Sequence, residues 1–78
     1  MKKAYENEYR QLGLKIAYYR KLKGLTQEQL AERIDKSAAF IGHVEAPNIN
    51  KAVSLDTLFD IGRALEIPVY KFLTFEDQ

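Results

Sequence analysis

The 78-residue sequence contains no cysteine, which excludes both disulfides and thiolate metal sites. It holds a single histidine, His43, and no glycine-rich phosphate loop. A convergent set of catalytic groups is therefore missing, and the chain reads as a non-enzyme that takes no metal, cofactor or small-molecule ligand. Apolar residues never run far enough to span a bilayer, so no membrane association is expected. The stretch from Met1 to Glu8 lacks the apolar run of a secretion signal, and the expected location is cytoplasmic. Repeats, low-complexity segments and linkers are likewise absent.

What is present suits a small folded chain. Hydrophobic residues make up 46% and charged residues 29%, the balance of a globular protein and not of a disordered one. The length gives room for one core, so a single domain over residues 1–78 is expected. Net charge is only +1, but it is unevenly distributed. Residues 1–36 carry nine Lys or Arg against five Asp or Glu, and residues 37–78 carry three against six. That asymmetry lets one face meet phosphates while the other stays solvated or meets a partner.

The apolar spacing predicts five helices and no strand. Tyr5, Tyr9, Leu12, Ile16 and Tyr19 recur at intervals of four and three, the stripe of an amphipathic helix, with Lys2, Glu6, Arg10, Lys15 and Lys21 mostly off it. Tyr18 also falls off the stripe, which leaves open whether it is exposed or interfacial. Gly24 suits the end of this helix, and Gly13 inside it predicts a close approach by another helix. Thr26-Gln27-Glu28-Gln29 has the form of a capping box, opening a second helix with Leu30, Ala31 and Ile34 inward. Ser37 reads as the cap of a third helix that buries Phe40, Ile41 and Val44. Two short helices so tightly joined form a helix-turn-helix unit over about 26–45. The stretch 46–53 has no helical period, and Pro47 disfavours helical geometry at Ala46, so it reads as a loop. Ser54 caps a fourth helix carrying Leu55, Leu58, Ile61 and Leu65. Pro68 is placed as the first residue of a short fifth helix with Val69, Phe72 and Leu73.

In the order and spacing of these segments the sequence resembles the Cro and phage-repressor type of helix-turn-helix regulators, the Xre-like family. The resemblance runs from about Leu12 to Leu73. It rests on Leu12-Gly13 with Ile16 and Arg20, on Gly24-Leu25-Thr26-Gln27-Glu28-Gln29-Leu30-Ala31, on Ser37 with Ile41 and Glu45, on Leu55-Asp56-Thr57-Leu58, and on Ala64-Leu65. The family resemblance implies an all-α, compact five-helix bundle and a sequence-specific DNA-binding transcriptional regulator; residues of about 3–11, ahead of the matched stretch, read as an N-terminal helix extension. Its third helix would enter the major groove of double-stranded DNA, about 12 Å wide, and meet base edges.

Counted from Ser37, the groove-facing positions are Ala38, Ala39, Gly42 and His43. Only His43 brings a hydrogen-bonding side chain. The small residues suit thymine methyls and shape readout. Gln27, matching the family's phosphate-binding glutamine, begins the second helix, and Lys36, Asn48, Asn50 and Lys51 flank the third as further phosphate candidates. The resemblance also implies a partly buried ion pair between Arg20 and Glu45. Asp35 stands where the family usually has glycine, in a turn that asks for left-handed geometry, and the loop after Glu45 is longer than the family's common spacing.

A single unit makes few contacts, so a homodimer on a two-half-site operator is expected. Its candidate surface is Phe59, Val69, Tyr70, Phe72 and Phe75 with Tyr5 and Tyr9; alternatively, those two tyrosines cover Phe72 and Phe75 within one subunit. The competing function is an antitoxin or protein-interaction module on the same fold, favoured by the scarcity of base-reading side chains on the third helix.

Overall fold

The computed structural model describes residues 4–49 and 51–75, and among these it shows four α-helices, one 3-10 turn and no strand. Lys2, residue 3 of the expected N-terminal extension, Asn50 and the tail 76–78 lie outside the described residues. Helix α1 spans Glu6–Leu22, α2 Gln27–Arg33, α3 Ala38–Glu45 and α4 Leu55–Leu65, followed by the 3-10 turn Val69–Phe72. No helix among the described residues is long and apolar enough to cross a membrane.

Most helix ends have an identifiable cause. Thr26 Oγ1 accepts from the Gln29 N–H at 3.0 Å, and Gln29 Oε1 accepts in return from the Thr26 N–H at 2.8 Å, completing the expected capping box of α2. Ser37 accepts from the Phe40 N–H, and Ser54 from the Thr57 N–H, at the starts of α3 and α4. The ends of α1, α2 and α4 share one device. Leu25 N–H donates to the Arg20 carbonyl, Lys36 N–H to that of Ala31 and Ile67 N–H to that of Gly62, each across a residue with positive φ. Those residues are Gly24 at 75°, Asp35 at 60° and Glu66 at 57°. This satisfies carbonyls that the last helical turn leaves without an intrahelical partner. Only the first of the three uses the residue that adopts this geometry without strain.

Leu12, Ile16, Leu30, Ile41, Val44, Leu58, Ile61, Leu65 and Phe72 form one buried core, with α2 and α3 packed closely together and α1 lying against α3. The close approach expected at Gly13 is there. A Cβ at that position would overlap the Val44 carbonyl oxygen and lie 3.2 Å from Glu45 Cα, so only glycine lets α1 lie this near the end of α3.

Several expectations need correction. The fifth helix is a four-residue 3-10 turn, in which Lys71 N–H donates to the Pro68 carbonyl and Leu73 N–H to that of Tyr70, three residues back and not the four of an α-helix. Pro68, with ψ of 137°, flanks that turn instead of starting it. Tyr5 and Leu55, placed in apolar stripes, are exposed, because each sits at the N-terminal edge of its helix where the core has already ended. Leu73, just past the 3-10 turn, is exposed for the same kind of reason.

Candidate nucleic-acid interface

Helix α3 divides into two faces. Ile41, Val44 and Glu45 are buried, while Ala39 and His43, one turn apart, are exposed and Ala38 and Gly42 are half-buried beside them. All four predicted groove-facing positions therefore lie on the side away from the core, with Ala39 and His43 outermost. The absence of a Cβ at Gly42 keeps that side low, and the Gln27 side chain lies along it: a Cβ on Gly42 would stand 3.5 Å from Gln27 Oε1.

The seam between α1, α2 and α3 is fixed by one buried ionic cluster. Arg20 Nε donates to Glu45 Oε2 at 2.7 Å and Arg20 Nη2 to Glu45 Oε1 at 2.9 Å, a two-pronged pair whose side chains are 8% and 6% exposed. Arg20 Nη1 also donates to the Leu25 carbonyl at 2.7 Å, tying the pair to the turn that ends α1. Gln27 Nε2 completes the cluster by donating to Glu45 Oε1 at 3.0 Å. Glu45 is thus held by two elements, and its carboxylate fixes the outward face of α3 against α1 and α2. The Arg20–Glu45 pair was legible in the sequence, but the attachment of Gln27 to it was not. One N–H of the Gln27 amide is committed to Glu45, and an amide carries two.

Lys36 and Lys51 are exposed on either side of α3 in sequence, and both converge on the ring of Phe40, with Nζ 5.4 Å and 5.5 Å from its centroid. Phe40 was expected wholly inward; it is half-buried, with one side against the core and the rest available to the lysines. The i, i+4 relation of Lys36 to Phe40 is visible in the sequence, whereas nothing local places Lys51 there. Asn48 is exposed in the loop, in the turn closed by Ile49 N–H on the Ala46 carbonyl. Among the described residues no cluster of His, Cys, Asp or Glu could hold a metal ion.

With this geometry in place, comparison with known families is decisive: the helix-turn-helix family matches over residues 16–72, which includes the whole α2–α3 unit. The chain belongs to the helix-turn-helix family, as a DNA-binding regulator of the Cro and phage-repressor type. The helix-turn-helix protein is similar in structure to the restriction-modification controller protein C.AhdI from Aeromonas hydrophila. The TM-score is 0.81 at 26% identity, covering 88% of this chain and 97% of that one. It also shares its fold with the hypothetical transcription factor NHTF from Neisseria, with a TM-score of 0.77 at 24% identity over 88% of this chain and 78% of that chain. No curated protein matches the helix-turn-helix protein at the level of sequence.

The aromatic surface expected to join two copies is only partly a surface. Phe59 and Tyr70 are 52% and 68% exposed, and Val69 and Phe75 are half-buried against the core. Phe72 has no exposure at all and packs edge-to-face on Tyr19 at 5.5 Å, so it leaves the candidate surface and belongs to the core. Tyr5, Tyr9 and Phe75 line one groove of about 240 Å³ with Leu55 and Leu73, so the two N-terminal tyrosines do sit beside Phe75 within the subunit. Tyr18 is exposed, on the far side of α1 from the core.

Proposed function

We propose that this protein is a sequence-specific transcriptional regulator that inserts the outward face of α3 into the major groove of double-stranded DNA. The observation that carries the reading is the pairing of two features. The α3 face bearing Ala38, Ala39, Gly42 and His43 is turned away from the core, and cations flank it at Lys36 and Lys51. Small residues let the helix sit deep, where alanine methyls meet thymine methyls, and His43 is the base-edge hydrogen-bonder. Gln27 serves the backbone through the amide N–H that Glu45 does not take, joined by Lys36, Lys51 and Asn48, with Asn50 as a further phosphate contact.

The protein acts as a homodimer, pairing through the exposed Phe59 and Tyr70 with Val69 and Phe75 at the edge, so that two half-sites are read one helical turn apart. It is a single regulatory domain and not an enzyme, working in the cytoplasm without a cofactor.

The test is selection of bound sites from a random duplex pool, followed by binding measurements as salt is raised. The reading expects a recovered motif with two-fold symmetry and an affinity that falls steeply with salt as phosphate contacts release counterions. Recovery of no motif, with binding that is weak and insensitive to salt, would remove the regulator assignment.

A protein-interaction role has a structural observation in its favour. Leu14, Tyr18 and Leu22, four residues apart, form an exposed apolar stripe on α1 opposite its buried face. Under that reading the same fold would retain one partner protein from a lysate and shift no duplex.

A further inference from the structure

Two lysines from separate parts of the chain share one phenyl ring. Lys36 lies just before the cap of α3, and Lys51 lies beyond its end, in the loop that leads to α4. Their ammonium nitrogens sit 5.4 Å and 5.5 Å from the centroid of the Phe40 ring, which places them within about 11 Å of each other. Neither has a carboxylate partner among the described residues, where the ion pair is that of Arg20 with Glu45, and the first turn of α3 carries no acidic residue. The negative face of the ring attracts each cation, but no carboxylate among the described residues pairs with either of them. An anionic strand running past the start of α3 would pair with both.

We propose that Phe40 is a positioning residue that gathers Lys36 and Lys51 into one paired cation site for neighbouring phosphates of a single DNA strand. The inference rests on the DNA-binding reading and adds to it a device that sets the register of α3 on the duplex. The long α3–α4 loop is brought back to the helix start by Lys51, and the ring spares both lysines part of the ordering that phosphate contact would otherwise require. Phe40 itself touches no base in this arrangement. Its exposed face is a platform for cations, while the rest of the side chain packs against the core.

The test measures binding to a labelled duplex of mixed sequence at several salt concentrations, since phosphate contacts are independent of sequence. Phe40→Leu is compared with Phe40→Tyr, which keeps the ring face, and with Lys36→Gln, Lys51→Gln and Lys71→Gln, the last a charge loss away from α3. Each of the first two lysine variants is expected to make the slope of log affinity against log salt shallower by about 0.9 per bound subunit, about 1.8 for the homodimer, and Lys71→Gln to leave it unchanged. Phe40→Leu should raise Kd roughly two- to fivefold, Phe40→Tyr should stay within twofold of the original, and each lysine penalty should shrink in the Phe40→Leu background. Equal lysine penalties in both backgrounds, or a Phe40→Leu protein that is folded and binds like the original, would overturn the paired site. Should Phe40→Leu fail to fold, the Lys36→Gln, Lys51→Gln double variant decides: a penalty smaller than the product of the singles supports one shared site, and a strictly multiplicative one refutes it. A starting protein with no salt-dependent affinity for duplex would instead sink the DNA reading, an outcome separable from failure of the paired site alone.

Discussion

Replacing Arg20 with alanine is the most informative perturbation of the scaffold behind the α3 face. The change removes both prongs on Glu45 and the donor to the Leu25 carbonyl, leaving a carboxylate of 6% exposure with the Gln27 amide as its remaining partner. An uncompensated buried charge of this kind costs roughly 3 to 5 kcal/mol. For a chain this short the total stability is itself only about 4 to 12 kcal/mol, so the loss is a large fraction of the whole. At about 4 °C or more per kcal/mol, the midpoint of thermal unfolding should fall by roughly 12 °C or more. Circular dichroism melts with parallel urea titrations would read it. The companion double variant, Arg20→Met with Glu45→Leu, removes the charge together with its partner and should be more stable than either single variant. A fall of less than about 4 °C for Arg20→Ala, or a double variant whose loss equals the sum of the two singles, would refute the claim that this pair is buried and coupled. At temperatures where Arg20→Ala remains folded it should still bind duplex, because Arg20 faces inward.

Further perturbations address other parts of the structure. Gly13→Ala should lower stability by roughly 1 to 3 kcal/mol despite alanine's better helix propensity, since the added carbon meets the Val44 carbonyl oxygen; a more stable variant would contradict the close contact of α1 and α3. Glu66→Gly and Asp35→Gly relieve left-handed geometry at two helix ends and should each raise the melting midpoint by a few degrees, with the larger gain at Glu66 because aspartate tolerates this region better; a lowered midpoint at both would show that the side chains matter more than the backbone. His43→Ala should alter preference at one or two base pairs by about 1 to 3 kcal/mol. Gln27→Ala should weaken binding to all sequences alike and also cost about 1 kcal/mol of stability, because its amide is a partner of Glu45. An unchanged selected motif after the histidine substitution removes His43 as a reader.

Much of the fold could be read in the sequence because the governing signals are local. The caps at Thr26, Ser37 and Ser54 act within three residues, and Gly24 ends α1 by its own backbone freedom, so these boundaries followed from residue type and position alone. Glu66 was not legible as a helix end, since nothing in a glutamate announces the left-handed conformation it takes. The fifth element failed as an α-helix because apolar spacing over Val69, Phe72 and Leu73 fits a single 3-10 turn as well as an α-helical one, and four residues are too few to separate the two. Phe72 illustrates a further limit. Sequence marks an aromatic residue near a chain end but not its depth, and only the packing of Tyr19 on its ring shows it to be core.

At the candidate interface the faces of α3 followed from helical periodicity once Ser37 was taken as its cap. The contacts among Gln27, Glu45 and Gly42, and those of Lys51 with Phe40, join residues far apart in the chain. They depend on how α2 and the α3–α4 loop return to α3, which no local pattern encodes.

The central claim, that the outward face of α3 meets DNA, is tested most directly by following backbone amide resonances while a selected duplex is added. The account predicts the largest changes at Ala38, Ala39, Gly42 and His43, with Gln27, Lys36 and Lys51 next and the α1 stripe of Leu14, Tyr18 and Leu22 unmoved. Changes concentrated on that stripe, with α3 silent, would contradict it.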